Sequence, residues 1–281
     1  MFQSVLHFPI WQGAGGRYGY GRGAGVLRSI AAKHLPVVDV AVDDNDFSPL
    51  RDKVLAFDTL LRHFAKAEAA LAHMPMPRLV LGGDCVSDYM SIAAALERFG
   101  SRMALLWIDA HPDINTPASS PSNNFHGMLV RSLMGEGPDA FTRLAPTKLT
   151  PEQLFYVGIR EADMDEEEFR IIKDKNIFVL SVAEAEGGRF APLLDELRAR
   201  GFTHLYVHFD TDVLDLTDYP QAVVAVPGGL SAATSVRLLQ LLRADFPLAG
   251  AALTEYSLEQ SAGAAETELG RQLLEDGFGI G

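Results

Sequence analysis

Asp109-Ala110-His111-Pro112-Asp113 and Asp210-Thr211-Asp212 each follow a run of apolar residues, Leu105-Leu106-Trp107-Ile108 in one case and Leu205-Tyr206-Val207-His208-Phe209 in the other. Together they supply one imidazole and four carboxylates, a donor set for hard divalent cations. In extended backbone, side chains two residues apart point to the same side, so Asp210 and Asp212 can face one centre, as can Asp109 and His111. Four carboxylates gathered in one place repel one another unless a cation is present. A pair of divalent metals removes that conflict. A third apolar run, Leu79-Val80-Leu81, leads into Gly82-Gly83-Asp84-Cys85, whose glycines permit a tight turn that brings Cys85 to the same rim.

Ligands of open parallel sheets bind beyond the carboxyl ends of the strands, which is where these strings lie. The elements that must position them are legible as apolar runs at Val37–Val42, Arg78–Leu81, Met103–Ile108, Leu154–Val157, Ile177–Leu180, His204–Phe209 and Gly250–Leu253. Between them lie helical periodicities; Leu50, Val54, Phe57, Leu61, Phe64, Ala67 and Leu71 mark one buried face. Strand and helix alternate throughout. The pattern predicts an α/β fold with one doubly wound parallel sheet, three-layer α/β/α, as a single domain over 1–281. The Gly-rich stretch from Gly13 to Gly25 lacks the Gly-Lys-Ser/Thr ending of a phosphate loop and is read as a flexible loop near the pocket rim.

The 281 residues carry a formal charge of −13, which opposes binding to a phosphate backbone. A nucleic-acid partner is not expected. No signal-like start and no long apolar window is evident, so no membrane partner is expected either, and the single cysteine fits a reducing cytoplasm. Association into a homo-oligomer is left open.

At these residues the sequence resembles the ureohydrolases, the arginase and agmatinase family. That family's motifs Gly-Gly-Asp-His-Ser, Asp-Ala-His-x-Asp and Ser-Phe-Asp-x-Asp correspond here to Gly82-Gly83-Asp84-Cys85-Val86-Ser87, Asp109-Ala110-His111-Pro112-Asp113 and His208-Phe209-Asp210-Thr211-Asp212. Gly23-Ala24-Gly25-Val26-Leu27-Arg28 is similar to its N-terminal Gly-x-Leu-Arg region. The resemblance implies two manganese ions bridged by a hydroxide. Asp109 and Asp210 would bridge them, Cys85 and Asp113 would complete the first site, and His111 and Asp212 the second.

The resemblance further implies a pocket for a guanidino amino acid. Asn115, Ser122 and Asn124 would hold its α-carboxylate, and His126 would shuttle protons. Asp163 would meet the α-amino group, Glu255 would pair with the guanidinium, and Asp113 would take the attacking water's proton. Cys85 stands at the family's first histidine, and a thiolate suits zinc better than manganese. The same replacement is associated with the N-hydroxy-L-arginine hydrolases, which form ornithine and hydroxyurea for cycloserine-type antibiotic biosynthesis. Ala222-Val223-Val224-Ala225 also replaces a Thr-Gly-Thr-Pro loop, putting an apolar wall where hydroxyl donors would stand. N-hydroxy-L-arginine is therefore the expected substrate. Arginase, agmatinase or formiminoglutamase activity, a one-zinc deacetylase-like hydrolase and a catalytically retired binding protein remain open.

Overall fold

Eight strands, all parallel, form one sheet in the computed structural model, which describes residues 1–259 and 263–281. They are β1 (Ser4–Phe8), β2 (Val37–Asp39), β3 (Arg78–Gly82), β4 (Met103–Ile108), β5 (Leu154–Val157), β6 (Phe178–Leu180), β7 (His204–Asp210) and β8 (Leu248–Thr254). Their order across the sheet is β2-β1-β3-β8-β7-β4-β5-β6. Parallel neighbours need crossovers, and the crossover helices cover both faces. The alternating parity of the strands divides the core accordingly. Leu105, Trp107, Tyr156 and Tyr206 pack with the helices Phe57–Leu71 and Tyr89–Phe99. Leu106, Ile108, Val207 and Phe209 pack with the helices Ala191–Ala199 and Ala232–Asp245.

Strand β1 is absent from the apolar runs read in the sequence. Its Ser4 and His7 interrupt the hydrophobic signal, although Ser4 is buried and His7 nearly so. The helical face predicted from Leu50 begins only at Phe57; Leu50 is 52% exposed and lies outside the helix. Within the helix the buried stripe runs through Phe57, Leu60, Phe64, Ala67 and Leu71, with Leu61 only partly buried.

The Gly-rich stretch is a loop only as far as Gly19. A helix, Tyr20–Ala31, follows, and it packs against the chain beyond β8. Gly23 permits that contact, because a Cβ there would stand 1.4 Å from the Tyr256 carbonyl oxygen. Gly83 plays a similar part beyond β3, where a Cβ would stand 1.9 Å from the Ile10 carbonyl oxygen. No helix among the described residues is long and apolar enough to cross a membrane.

Candidate metal centre

Strands β3, β4, β7 and β8 are contiguous in the sheet, so their carboxyl ends deliver Cys85, Asp109, Asp210 and Glu255 to one place. There they line a cavity of ≈ 260 Å³ together with His111, Asp113, Asn115, Ser122, His126, Asp163 and Asp212. The space suits a ligand of amino-acid size, since drug-sized ligands typically occupy pockets of about 300–1,000 Å³.

Asp109, His111 and Asp212 offer donor atoms within 4.8 Å of one another, as do Asp210, Asp212 and Glu255. His111 Nδ1 lies 2.9 Å from Asp212 Oδ2 and 3.5 Å from Asp109 Oδ1. The i, i+2 spacing of the acidic strings has a second local use. Asp109 Oδ1 accepts the His111 N–H at 2.6 Å and Asp210 Oδ1 accepts the Asp212 N–H at 2.8 Å, closing each loop on itself. Cys85 Sγ lies 2.9 Å from Asp210 Oδ2 and 3.3 Å from Glu255 Oε1. The thiol thus lies among the carboxylates of the cavity floor.

The electrostatics are those of crowded, buried carboxylates. Burial, then the Asp212 charge, pushes Asp109 up to about 6. Burial and neighbouring carboxylates hold Asp113 and Asp210 well above the usual carboxylate range. Burial likewise raises the Cys85 thiol. Despite its own burial, His111 is raised by Asp212 and Asp109, and Asp212 is correspondingly lowered. Asp113 Oδ2 is buried without a hydrogen-bond partner. An orphaned carboxylate oxygen facing other carboxylates is what a hard cation would satisfy, so the residues present fit a divalent metal site.

The remaining candidates divide. His126 Nδ1 lies 3.2 Å from Glu255 Oε1, and this carboxylate outweighs the effect of burial and raises the imidazole. Ser122 lines the cavity at its exposed rim. Asn115 also lines it, yet its amide donates to Asp165 Oδ2 at 2.8 Å. Asn124 is not among the lining residues; its amide donates to the Ala14 carbonyl at 2.9 Å and braces the Gly-rich loop. Asp163 contacts His111 Nε2 at 3.1 Å, the side of the ring turned away from Asp212.

Several participants were not singled out in the sequence. Tyr20 donates its hydroxyl to Glu255 Oε2 at 2.7 Å, a contact between residues 235 positions apart that no local pattern announces. Asp165 and Glu168 line the cavity wall and form the capping box of the helix Glu166–Asp174, with Glu168 pushed by burial to about 7. The Asp-x-x-Glu spacing carried that signal. His208 shares strand parity with Asp210, and its donor atom lies within 4.8 Å of those of Cys85, Asp109 and Asp210. Strand parity was the available clue.

The family model described as Arginase family matches residues 16–278. An arginase of Staphylococcus aureus (strain MSSA476) is 29% identical over 253 residues, covering 85% of this chain and 82% of its own. Among solved structures, the Entamoeba histolytica arginase in complex with L-ornithine superposes with a TM-score of 0.86 at 21% identity, over 99% of each chain. A formimidoylglutamase from Bacillus subtilis gives 0.76 at 19% identity, over 100% of this chain and 87% of its own. Likeness at those identities establishes the three-layer fold.

Proposed function

The chain belongs to the arginase family and is a hydrolase of carbon–nitrogen bonds in linear amidines; on that premise we propose that it cleaves N-hydroxy-L-arginine to L-ornithine and hydroxyurea. The observation that carries this reading is the buried cage of Cys85, Asp109, His111, Asp113, Asp210 and Asp212 at the floor of a cavity walled in part by Val224. Arginine-like substrates are favoured over agmatine by the polar groups at the other end of the cavity, since agmatine has no carboxylate or α-amino group to engage them.

Two divalent cations, manganese in our reading, would be held by Asp109 and Asp210 between them, with Cys85 and Asp113 on one side and His111 and Asp212 on the other. When bound they supply the Lewis acidity that makes hydroxide available near neutral pH and neutralise the developing negative charge. Glu255 holds the guanidinium, and Tyr20 fixes the orientation of that carboxylate. Orientation of this kind converts binding into reactivity, because the resonance-stabilised guanidinium carbon is a poor electrophile. Asp113 accepts the proton of the attacking water and passes it to the departing ornithine nitrogen. His126, at the cavity wall and hydrogen-bonded to Glu255, relays protons to solvent. Asp165 and Glu168 extend the acidic wall at which Asp163 was expected to meet the α-amino group. Asp163 lines the cavity and also contacts His111 Nε2, the kind of contact carboxylates commonly make to metal-ligating histidines.

Val224 favours the hydroxylated substrate by placing an apolar wall where hydroxyl oxygens could otherwise accept from the guanidinium N–H groups of plain arginine. The test is a comparison of kcat/KM for arginine, N-hydroxy-arginine, agmatine and formiminoglutamate, with the metal content of the same sample measured. N-hydroxy-arginine is expected to be turned over at least about tenfold faster than arginine, the effect of one differential hydrogen bond. Equal or faster turnover of arginine would make the protein an ordinary arginase.

A further inference from the structure

Two histidines near the carboxylate cage are held in the same way, although only one was assigned to it. His111 places Nε2 3.1 Å from Asp163 Oδ2 and turns Nδ1 toward Asp109 and Asp212. His208 places Nδ1 3.1 Å from Asp88 Oδ2 and turns Nε2 toward Asp109 Oδ2, 4.0 Å away. Both His208 and Asp88 are fully buried. The Asp88 carboxylate accepts a hydrogen bond from the Nδ1–H, which leaves the Nε2 lone pair facing the cage. A metal-ligating histidine almost always shows this arrangement, its outer N–H donated to a carboxylate that fixes tautomer and ring orientation.

The spacing on the inner side has the same meaning. At 4.0 Å, Nε2 and Asp109 Oδ2 are too far apart for a hydrogen bond, yet this is about the distance that two ligand bonds of roughly 2 Å span end to end. Thr254 Oγ1 stands 3.5 Å from Nε2 and has the Phe209 carbonyl as its own acceptor at 3.3 Å. The ring itself cannot drift. It stacks on Trp107, its register partner on β4, with centroids 3.5 Å apart and planes 6° from parallel, and Trp107 Nε1 donates to Asp109 Oδ2 at 2.9 Å.

We propose that His208 is a metal ligand, so that one cation is held by Cys85, His208, Asp109 and Asp210, whose donor atoms all lie within 4.8 Å of one another. The inference rests on the binuclear reading above. It also joins two departures from the motifs: where those have histidine this chain has Cys85, and where they have serine it has His208. The centre loses an imidazole from the end of β3 and regains one from β7. The resulting Cys/His/Asp/Asp set is softer than an all-carboxylate and imidazole set, and it selects zinc, cobalt or iron(II) over manganese at that position.

The test uses the full chain loaded with Co2+, with elemental analysis and paramagnetic proton NMR. Each imidazole bound to Co2+ gives a strongly shifted N–H resonance that vanishes in D2O. Wild type is expected to bind two ions and to show two such protons, on His111 and His208. His208→Gln is expected to retain one, with Co2+ stoichiometry falling toward one. Asp88→Asn, which keeps the imidazole and the shape of the site, is expected to weaken one of the two ions about 10–100-fold and to leave the other unchanged. It answers the question should His208→Gln not fold. Two bound ions with a single shifted N–H proton in wild type would overturn the His208 assignment and leave the proposed function standing, as would unchanged affinities in Asp88→Asn. Wild type that takes up no Co2+ would overturn the binuclear reading itself.

Discussion

The side chains that touch Glu255 show how much of this site depends on groups that hold other groups still. Glu255 has a positive φ of 57° directly after β8, a conformation unusual outside glycine and asparagine, and its two oxygens are shared among Tyr20, His126 and Cys85. Tyr20 is fully buried and its hydroxyl serves Glu255. A hydrogen bond to a charged acceptor is worth about 1.5–3 kcal/mol, so Tyr20→Phe is expected to lower kcat/KM for the guanidino substrate roughly 10–100-fold. Metal content should not change, because Tyr20 and Glu255 are not among the expected metal ligands. Steady-state kinetics alongside elemental analysis would check both halves. An unaltered kcat/KM would remove Tyr20 from the site.

At the level of elements, the helix Tyr20–Ala31 has the unexpected role. It starts inside a Gly-rich stretch, and its first residue is Tyr20, which the helix carries to the buried carboxylate of Glu255. Two of its glycines can be told apart physically. A Cβ on Gly23 would collide with the Tyr256 carbonyl, part of the backbone that also positions Glu255, whereas a Cβ on Gly25 would meet nothing within 4 Å. Gly23→Ala is therefore expected to lose about 1–3 kcal/mol in urea denaturation. Gly25→Ala should gain up to about 1 kcal/mol, the usual helix preference for alanine. Similar values for the two variants would mean that the helix does not pack on the β8 end as described.

For the whole molecule, metal binding and folding are linked through charge. In the metal-free protein Asp109 is raised to about 6, and Asp113 and Asp210 are raised further from the usual range. A carboxyl with a raised folded-state pKa binds protons in the native state that the unfolded chain has already released above about pH 4, so stability falls as pH rises. His111, raised by Asp212 and Asp109, has the same sign, because its contribution is complete below about 6.5 and fades as pH passes its folded value. Asp212, which is lowered, acts only on the acid side, removing stability below about pH 4. Metal-free protein should accordingly lose unfolding free energy between about pH 5 and 8, and saturating divalent metal should abolish that loss by replacing the protons. A metal-free profile that is flat or rising across this window would contradict a shared pocket of crowded carboxylates.

By themselves the residues determined the chemistry and the layer architecture. Aspartates two apart at the ends of apolar runs, and strands alternating with helical periods, are local patterns written within a few positions, so the parallel sheet and the acidic, imidazole and thiol groups it gathers at one cavity were readable in order along the chain. Only the tertiary structure decided what those residues lean on. Tyr20 against Glu255, Asp88 against His208 and Asp163 against His111 join residues separated by 235, 120 and 52 positions, and each contact exists because the sheet order brings distant strand ends and their loops together. Strand β1 escaped notice for a related reason: its polar Ser4 and His7 are buried by neighbours on both sides, and burial belongs to the packed sheet rather than to five residues read alone.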